Sequence, residues 1–237
     1  MISVAMATCQ GERWLEPQLS SILDQLGPHD EIVVADASST DRTLEIVRDL
    51  CGDQARIVEG IRRGSPPATF EAALKECRGE HVFLSDQDDV WIPGKLDACR
   101  QALDRNGPAM VLHDAKVIDA DRRILSESFM ASRGRREGFW RNLWKPSYLG
   151  CAIALRRELL DLALPFPTGV PMHDWWIGLL AERAGGVAYL PEPFILHRRH
   201  GRNANFDPNR SPYPIVERFG FRWRIWRDVG IRLKERA

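Results

Sequence analysis

Residues 86–89, Asp86-Gln87-Asp88-Asp89, carry three carboxylates within four positions. Carboxylates this close repel one another in a partly buried loop unless a cation neutralises them. Oxygen-only ligands with no histidine or cysteine nearby favour Mg²⁺ or Mn²⁺ over zinc. The alternative is an acidic, solvated turn whose aspartates cap a helix. We favour a metal site, because an apolar strand precedes the segment and apolar residues follow it.

Asp36 lies at the end of a second apolar run and is another candidate for ligand binding. A carboxylate in this position accepts hydrogen bonds from the hydroxyl groups of a ribose or from an N–H group of a base. The alternative is a cap for the following helix, a role that Ser39 or Thr40 could equally fill.

Asp174 opens a predicted helix and is followed by Trp175 and Trp176. A carboxylate beside large apolar rings in a half-closed site can have the pKa that a general base needs. An acidic residue is also favoured at a helix N-terminus by the helix dipole, with the tryptophans simply in the core. The residues alone leave both readings open.

The first half of the chain predicts the elements that position these carboxylates. Apolar runs at residues 2–7, 31–35, 55–58 and 81–85 read as strands, and amphipathic segments such as 14–26 read as the helices after them. Four repeats of strand and helix predict an α/β fold with a mostly parallel, twisted sheet and helices on both faces. Ligands bind at the carboxyl ends of such strands. Neither a dinucleotide fingerprint nor a P-loop follows the first strand.

The second half predicts a smaller mixed region on the acceptor side. We expect helices over 93–105, 157–163 and 174–184. Short strands are expected over 110–113, 151–155, 187–190 and 194–197, with an irregular, basic stretch over 126–147. The predicted domain therefore spans residues 1–205, with a nucleotide-binding half over 1–105 and an acceptor half over 106–205. A basic, aromatic extension follows over 206–237.

Composition restricts the class of protein. A chain of 237 residues with 44% hydrophobic and 28% charged residues suits one globular domain. No apolar run approaches the roughly 20 residues of a membrane span, and the N-terminus lacks the basic region of a signal peptide. Five cysteines without a CxxC pair favour reduced thiols. These features predict a cytoplasmic protein.

The formal net charge is zero, but the charge is unevenly distributed. Residues 198–237 contain 11 Arg or Lys against four Asp or Glu. This argues against attraction of the whole protein to nucleic acid and predicts a local basic surface. Aromatic residues alternate with arginines here, so the segment either contacts a membrane interface peripherally or packs on the domain. Alternation over residues 219–225 favours a strand over a helix.

An ordered series of motifs resembles the family 2 glycosyltransferases. The series comprises VAMATCQGERWLEPQLSSILDQ, EIVVADASSTDRT, GSPPATFEAAL, VFLSDQDDVWIPGKL, GCAIALRREL, HDWWIGLLA and YLPEPFILHRRHGRN. The string SDQDDVW resembles the rhamnosyltransferase-like branch. The resemblance implies a GT-A fold, a nucleotide-diphosphate sugar donor, inversion at the anomeric carbon, and a glycan or lipid-linked acceptor.

The resemblance also implies a role for each matching residue. Thr8 and Glu12 would lie beside the nucleotide, and Asp36 on the base. Asp86 and Asp88 would be the DxD pair, Asp89 would lie close to the metal or sugar, Asp174 would be the catalytic base, and His200 would bind the metal or the diphosphate.

Two departures from the family pattern affect the donor site. Cys9 stands where the family usually has tyrosine, and Ala37-Ser38-Ser39 stands where it usually has Asp-Gly-Ser. Two other function classes stay open at this point. A sugar-1-phosphate nucleotidyltransferase would need a glycine-rich, basic loop, whereas residues 8–13 contain one glycine and one arginine. A non-catalytic sugar-nucleotide-binding protein would not need the three candidate carboxylates Asp86, Asp88 and Asp174.

Overall fold

Four parallel strands from the first half of the chain form one side of the sheet. The computed structural model describes residues 1–59, 61, 65–104, 107–200 and 215–235. The four strands lie in the order β3-β2-β1-β4, and every pairing among them is parallel. The strands β1, β2 and β4 are buried along most of their length, which explains their continuous apolar sequences. The bounds are β1 Ile2–Thr8, β2 Glu31–Asp36, β3 Ala55–Val58 and β4 His81–Asp86.

Helices connect these strands close to the predicted positions. They are α1 Glu12–Leu23, α2 Thr43–Cys51 and α3 Pro66–Glu76. The helix predicted over 14–26 therefore begins earlier and ends earlier than expected. Residues 24–26 close as a tighter turn, in which Gln25 N donates to Ile22 O at 2.9 Å.

The second half mixes strand directions, as predicted. The strand β8 is antiparallel to β4 and β6, β6 is parallel to β9, and β5 and β7 pair antiparallel with β9 and β6. Together with the first half they make one sheet in the described part of the chain. The bounds are β5 Val90–Trp91, β6 Met110–Ile118, β7 Ile124–Ser126, β8 Ile153–Arg156 and β9 Val187–Arg198.

The prediction of two short strands over 187–190 and 194–197 was wrong, because β9 runs through both. The ladder advances from His113 opposite Leu190 to Lys116 opposite Leu196, so β9 has three more residues than β6 over this stretch. Bulges absorb the extra residues and the two prolines at 191 and 193, which broke the strand pattern in the sequence.

Two short helices occupy the stretch predicted to be irregular. They are α5 Phe129–Arg133 and α6 Phe139–Trp144. Ser128 caps α5, because its side chain accepts a hydrogen bond from Ala131 N at 2.9 Å. Helices of one or two turns are too short to leave a periodic pattern. The other α-helices before the C-terminal segment are α4 Lys95–Asp104, α7 Arg157–Ala163 and α8 His173–Ala181.

The C-terminal segment forms a helix, α9 Ile215–Lys234, and the strand prediction over 219–225 was wrong. Ile225 and Val229, one turn apart, are buried against the acceptor half, and α9 contacts α6, α7 and α8. The packing of this face of α9 on the domain favours a helix, although the short alternating pattern over residues 219–225 predicted a strand. The predicted boundary at residue 205 lies outside the described residues. Within the described chain, no helix combines the length and the apolar character needed to cross a bilayer.

Candidate active site

The acidic loop of residues 86–89 follows β4 directly, at the carboxyl edge of the parallel strands. Carboxylate oxygens of Asp86, Asp88 and Asp89 lie within 4.8 Å of one another. Burial and the charges of Asp89 and Asp88 raise the pKa of Asp86 to about 8. Burial and the charge of Asp89 also raise the pKa of Asp88. The loop therefore holds negative charge that its surroundings only partly compensate.

Asp89 is completely buried and is tied to the end of β9. Its Oδ1 accepts a hydrogen bond from Arg198 N at 2.9 Å and lies 3.0 Å from His197 Nδ1. Burial raises the pKa of Asp89, but the charge and hydrogen bond of His197 outweigh it, so the pKa is lowered overall. Its Oδ2 has no hydrogen-bond partner among the described residues.

The residues after β9 bring His200 to the acidic loop. His200 Nε2 lies 2.8 Å from Asp88 Oδ2. The ring of Trp14 stacks on His200 at a centroid distance of 5.6 Å, and the Arg198 guanidinium lies 4.5 Å from the same ring. Arg198 is buried and its Nε donates to Asp88 O at 2.8 Å. His200 is therefore held between α1 and the acidic loop.

Thr8 and Asp36 meet at the same edge, because β1 and β2 pair in register at these residues. Thr8 Oγ1 donates to Asp36 Oδ1 at 2.8 Å, and Ser39 donates from Oγ to Oδ1 at 2.6 Å and from N to Oδ2 at 2.7 Å. In this arrangement Asp36 organises the loop before α2. Oδ1 accepts two of these bonds and Oδ2 accepts one, so Oδ2 can accept a further bond and a ligand contact is compatible with this role.

Gln87 fastens the loop after β1 to the acidic loop. Its Oε1 accepts from Cys9 N at 2.8 Å and its Nε2 donates to Cys9 O at 3.0 Å. A Cβ at Gly11 would lie 2.4 Å from Gln87 Oε1, so a larger residue there would displace the Gln87 side chain from Cys9. Glu12 is exposed at the start of α1, and its Oε2 accepts from Arg42 N at 3.0 Å. The edge of the site is therefore rigid.

Asp174 lies in the first turn of α8 on the other side of the site. Its Oδ1 accepts a hydrogen bond from Trp175 N at 2.7 Å. Burial raises the pKa of Asp174 to about 6, although the Trp175 N–H and the charge of Arg133 lower it in part. The charge of Asp174 is the smallest of the contributions that raise the pKa of Asp86, so the two carboxyl groups lie close enough for their charges to interact.

The two tryptophans after Asp174 fix α8 in place. Trp175 Nε1 donates to Asn142 O and Trp176 Nε1 donates to Ala163 O, both at 2.9 Å. Gly150 lets the backbone before β8 approach the first residue of α8, since a Cβ there would lie 2.9 Å from His173 Nε2. Core packing by the tryptophans and a base role for Asp174 are therefore compatible.

The donor set fits a hard divalent cation. The carboxylates of Asp86, Asp88 and Asp89, including the orphaned Oδ2 of Asp89, supply oxygen ligands, and the imidazole of His200 lies beside them. A second group, Asp89, Cys151 and His197, also lies within 4.8 Å. Burial raises the pKa of the Cys151 thiol well above its usual value, which disfavours the thiolate that zinc prefers.

Sequence reasoning missed several residues around the loop. The expectation that no histidine or cysteine lies beside the acidic loop holds only along the chain, because folding brings two histidines and a cysteine to it. His197 lay in a motif that was recognised without a role for that residue. The Lys95 side chain gave no local signal, yet it is buried, with Nζ donating to Cys151 O at 2.7 Å. The missed residues are Trp14, Gln87, Lys95, Arg133, His197 and Arg198.

Comparisons with known proteins agree with this fold. The dTDP-rhamnosyl transferase RfbG of Shigella flexneri is 24% identical over 216 residues, which cover 84% of this chain and 72% of RfbG. WfgD of Escherichia coli, a UDP-Glc:alpha-D-GlcNAc-diphosphoundecaprenol beta-1,3-glucosyltransferase, is 21% identical over 212 residues, 89% of this chain and 81% of WfgD. The chain spans 66% of an uncharacterized Nostoc glycosyltransferase and 50% of a Mycobacterium bovis protein.

Solved structures share the GT-A fold. S. aureus TarS in complex with UDP-GlcNAc superposes with a TM-score of 0.71 at 20% identity, over 98% of this chain and 66% of that one. The mannosyltransferase PcManGT of Pyrobaculum calidifontis, in complex with GDP-Man and Mn²⁺, gives a TM-score of 0.63 at 23% identity, over 85% and 58%. The predicted α/β fold is therefore confirmed. The model of the family named Glycosyl transferase family 2 matches residues 3–162, and the chain belongs to that family.

Proposed function

We propose that this chain transfers a sugar from a nucleotide-diphosphate sugar to an acceptor hydroxyl, with inversion, in the assembly of a cell-surface glycan. The observation that carries the proposal is the acidic loop after β4, where carboxylate oxygens of Asp86, Asp88 and Asp89 lie within 4.8 Å of one another. The names of RfbG and WfgD describe sugar transfer from nucleotide-sugars, and TarS and PcManGT were solved with such donors.

The donor would lie along the carboxyl edge of β1, β2 and β4. Thr8 and Asp36 end β1 and β2, and Glu12 begins α1, so these residues would line the nucleotide. Asp86, at the end of β4, would face the diphosphate. The hydrogen bonds that Asp36 accepts from Thr8 and Ser39 favour a fixed loop that leaves Oδ2 to accept a hydrogen bond from the base. Gln87 keeps the two strand-end loops at a constant separation.

A divalent ion would be held by Asp88, Asp89 and His200, with Asp86 beside it. The presence of Mn²⁺ in the PcManGT complex favours Mn²⁺ over the alternative, Mg²⁺. When bound, the ion supplies Lewis-acid stabilisation of the departing diphosphate. The chain's own part is to hold the ligands: Arg198 and His197 fix the backbone and carboxylate of the loop.

Asp174 would act as the general base of a single displacement. Its Oδ1 is occupied by the Trp175 N–H, which leaves Oδ2 to accept the proton of the acceptor hydroxyl. The acceptor oxygen then bonds to the anomeric carbon, from the face opposite the nucleotide, as the bond to the diphosphate oxygen breaks. With a pKa of about 6, Asp174 is ionised at neutral pH. This pKa is also close to neutral pH, which favours efficient proton transfer.

For the acceptor we propose only a chemical class. WfgD takes a diphosphoundecaprenol-linked sugar as acceptor, according to its name, and a lipid-linked or glycan acceptor is proposed for this chain. All five cysteines are free, which supports a reducing, cytoplasmic location.

A panel of nucleotide-sugars tests the function. Each of several UDP-, dTDP- and GDP-sugars is incubated with the protein, with and without Mn²⁺, and release of the nucleoside diphosphate is measured. Consumption of at least one donor only when Mn²⁺ is present is expected. A thermal-shift series with the corresponding nucleoside diphosphates identifies the base. Stabilisation by none of them, together with no donor consumption, would overturn the proposal.

A further inference from the structure

Exposed aromatic side chains form a continuous surface on α6 and α9, which we call the α6–α9 surface. It consists of Trp140, Trp144, Phe219, Trp223 and Trp226, each between 40% and 63% exposed. Four of the eight tryptophans of the chain lie in it. Large exposed apolar patches are uncommon on soluble proteins and mark interaction sites.

The geometry of the two helices joins these residues. Phe219, Trp223 and Trp226 recur at intervals of four and three residues, so they share one face of α9. Trp140 and Trp144 lie one turn apart on α6. The rings of Trp144 and Phe219 meet edge to face at a centroid distance of 5.5 Å, and those of Trp223 and Trp226 lie 5.0 Å apart.

The exposure does not result from a loosely placed helix. Ile225 and Val229, on the packed face of α9, are only 2% exposed, and Phe221 is partly buried against the core. Near the end of the helix, Arg232 donates three hydrogen bonds of 2.7 to 2.9 Å to the carbonyl oxygens of Leu162, Leu164 and Pro165. The helix is therefore fixed on the domain, and Phe219, Trp223 and Trp226 stay exposed on another face.

Positive charge surrounds the aromatic residues. Residues 139–145 and 215–235 contain eight basic and three acidic residues. Arg141, Lys145 and Lys234 are exposed, and none of them forms an ion pair with a residue that the structure describes. Two copies of this surface placed face to face would oppose positive charge with positive charge, which disfavours a symmetric dimer through it.

Tryptophan with arginine and lysine is the combination that binds at the headgroup level of an anionic bilayer. We propose that the α6–α9 surface docks this protein on an anionic membrane. The surface lies apart from the carboxylate cleft, so the inference does not depend on the proposed sugar transfer. In this proposal the C-terminal segment binds the membrane as the helix α9, and the helix α6, which lies elsewhere in the sequence, contributes to the same surface.

Docking would also orient the active site. Asn142 of α6 accepts the hydrogen bond from Trp175 Nε1, directly after Asp174, and Glu182 accepts from Gly138 N at 3.2 Å. The docking helices and the helix of Asp174 therefore belong to one packed block. A bilayer bound at α6 and α9 would stand at a constant orientation to the cleft, which suits an acceptor anchored in lipid.

Vesicle flotation of the full chain tests the proposal. Wild type is mixed with vesicles of phosphatidylcholine alone, or of phosphatidylcholine with phosphatidylglycerol, and recovery in the floating fraction is measured. We expect recovery only with the anionic vesicles. Trp140→Ser with Trp223→Ser should abolish it. The matched control, Ile124→Ser with Leu125→Ser, removes exposed apolar residues elsewhere and should float like wild type.

A charge series separates lipid binding from general hydrophobicity. Arg141→Gln and Lys145→Gln should each lower the partition coefficient about fivefold, the scale for one basic residue near an anionic surface. Arg100→Gln, on the exposed side of α4, should leave it unchanged. No flotation of wild type, or equal flotation of the aromatic variant, would overturn the proposal. So would a dimer in sedimentation that the aromatic variant dissociates, because the surface would then bind a second copy.

Discussion

His197 Nδ1 lies 3.0 Å from Asp89 Oδ1, although the two residues are 108 positions apart in the chain. This contact joins the end of β9 to the acidic loop inside the protein. Oδ2 of Asp88, one residue earlier, lies 2.8 Å from His200 Nε2. We therefore expect Oδ1 of Asp89 to anchor the loop, and Oδ2 of Asp89 and the carboxylate of Asp88 to bind the metal.

Asp88→Asn should abolish transfer and leave the fold intact. The substitution removes a charged oxygen ligand but keeps the size of the side chain. Donor consumption with Mn²⁺ and the melting temperature of the free protein measure the two effects, and Asp121→Asn in an exposed turn is the control. Full activity of Asp88→Asn, or of wild type in excess EDTA, would contradict the metal assignment.

Asp89→Asn should destabilise the protein even without metal. Breaking a buried charged pair costs about 3 kcal/mol, because the partner, here His197, is left without its counter-charge. Chemical denaturation of the metal-free protein measures the loss, with Asp121→Asn again as control. If Asp89→Asn unfolds like wild type and loses only Mn²⁺ affinity, Asp89 is a metal ligand and its anchoring role is negligible.

Asp174→Asn should leave donor binding nearly unchanged and lower turnover by roughly 10² or more, the usual scale for losing a general base. The asparagine keeps an oxygen that can accept the Trp175 N–H, so α8 should stay in place. Calorimetry with the nucleoside diphosphate and a turnover assay measure the two quantities. A collapse of donor affinity instead would make Asp174 a donor ligand or a structural residue.

The acid limb of the pH profile should report Asp174. Transfer needs the ionised carboxylate, so kcat should fall as the pH decreases below about 6. The Arg133 charge lowers this pKa, and Arg133→Gln should therefore move the limb to higher pH. Arg100→Gln should leave the limb where it is. A profile of Arg133→Gln that coincides with wild type would show that another group controls the limb.

The parallel half of the fold was predictable because its signals are local. Each buried strand is a continuous apolar run, and the polar residue at its end lies at a known edge of the sheet. The contacts of Asp89 with His197 and of Trp14 with His200 were not predictable in this way. They depend on the antiparallel pairing of β5 with β9, which brings distant segments together without any short-range pattern.

The helix α9 escaped prediction for a different reason. Helical periodicity is recognised when apolar residues mark one buried face. In α9 apolar residues lie on the exposed face as well as on the buried one, and the packed face includes Arg232. The alternating residues come from both faces, because Phe219 and Trp223 are exposed whereas Phe221 and Ile225 pack on the core.

The three extra residues of β9 have a geometric consequence for His197. Side chains alternate between the two faces of a strand, so a shift by an odd number of residues exchanges the faces. In an uninterrupted ladder Val117 would lie opposite residue 194, whereas it lies opposite His197. An even number of inserted residues would have turned the imidazole to the far side of the sheet. Whether the number of inserted residues is odd or even, independent of which amino acids they are, thus decides the face of the sheet on which His197 lies.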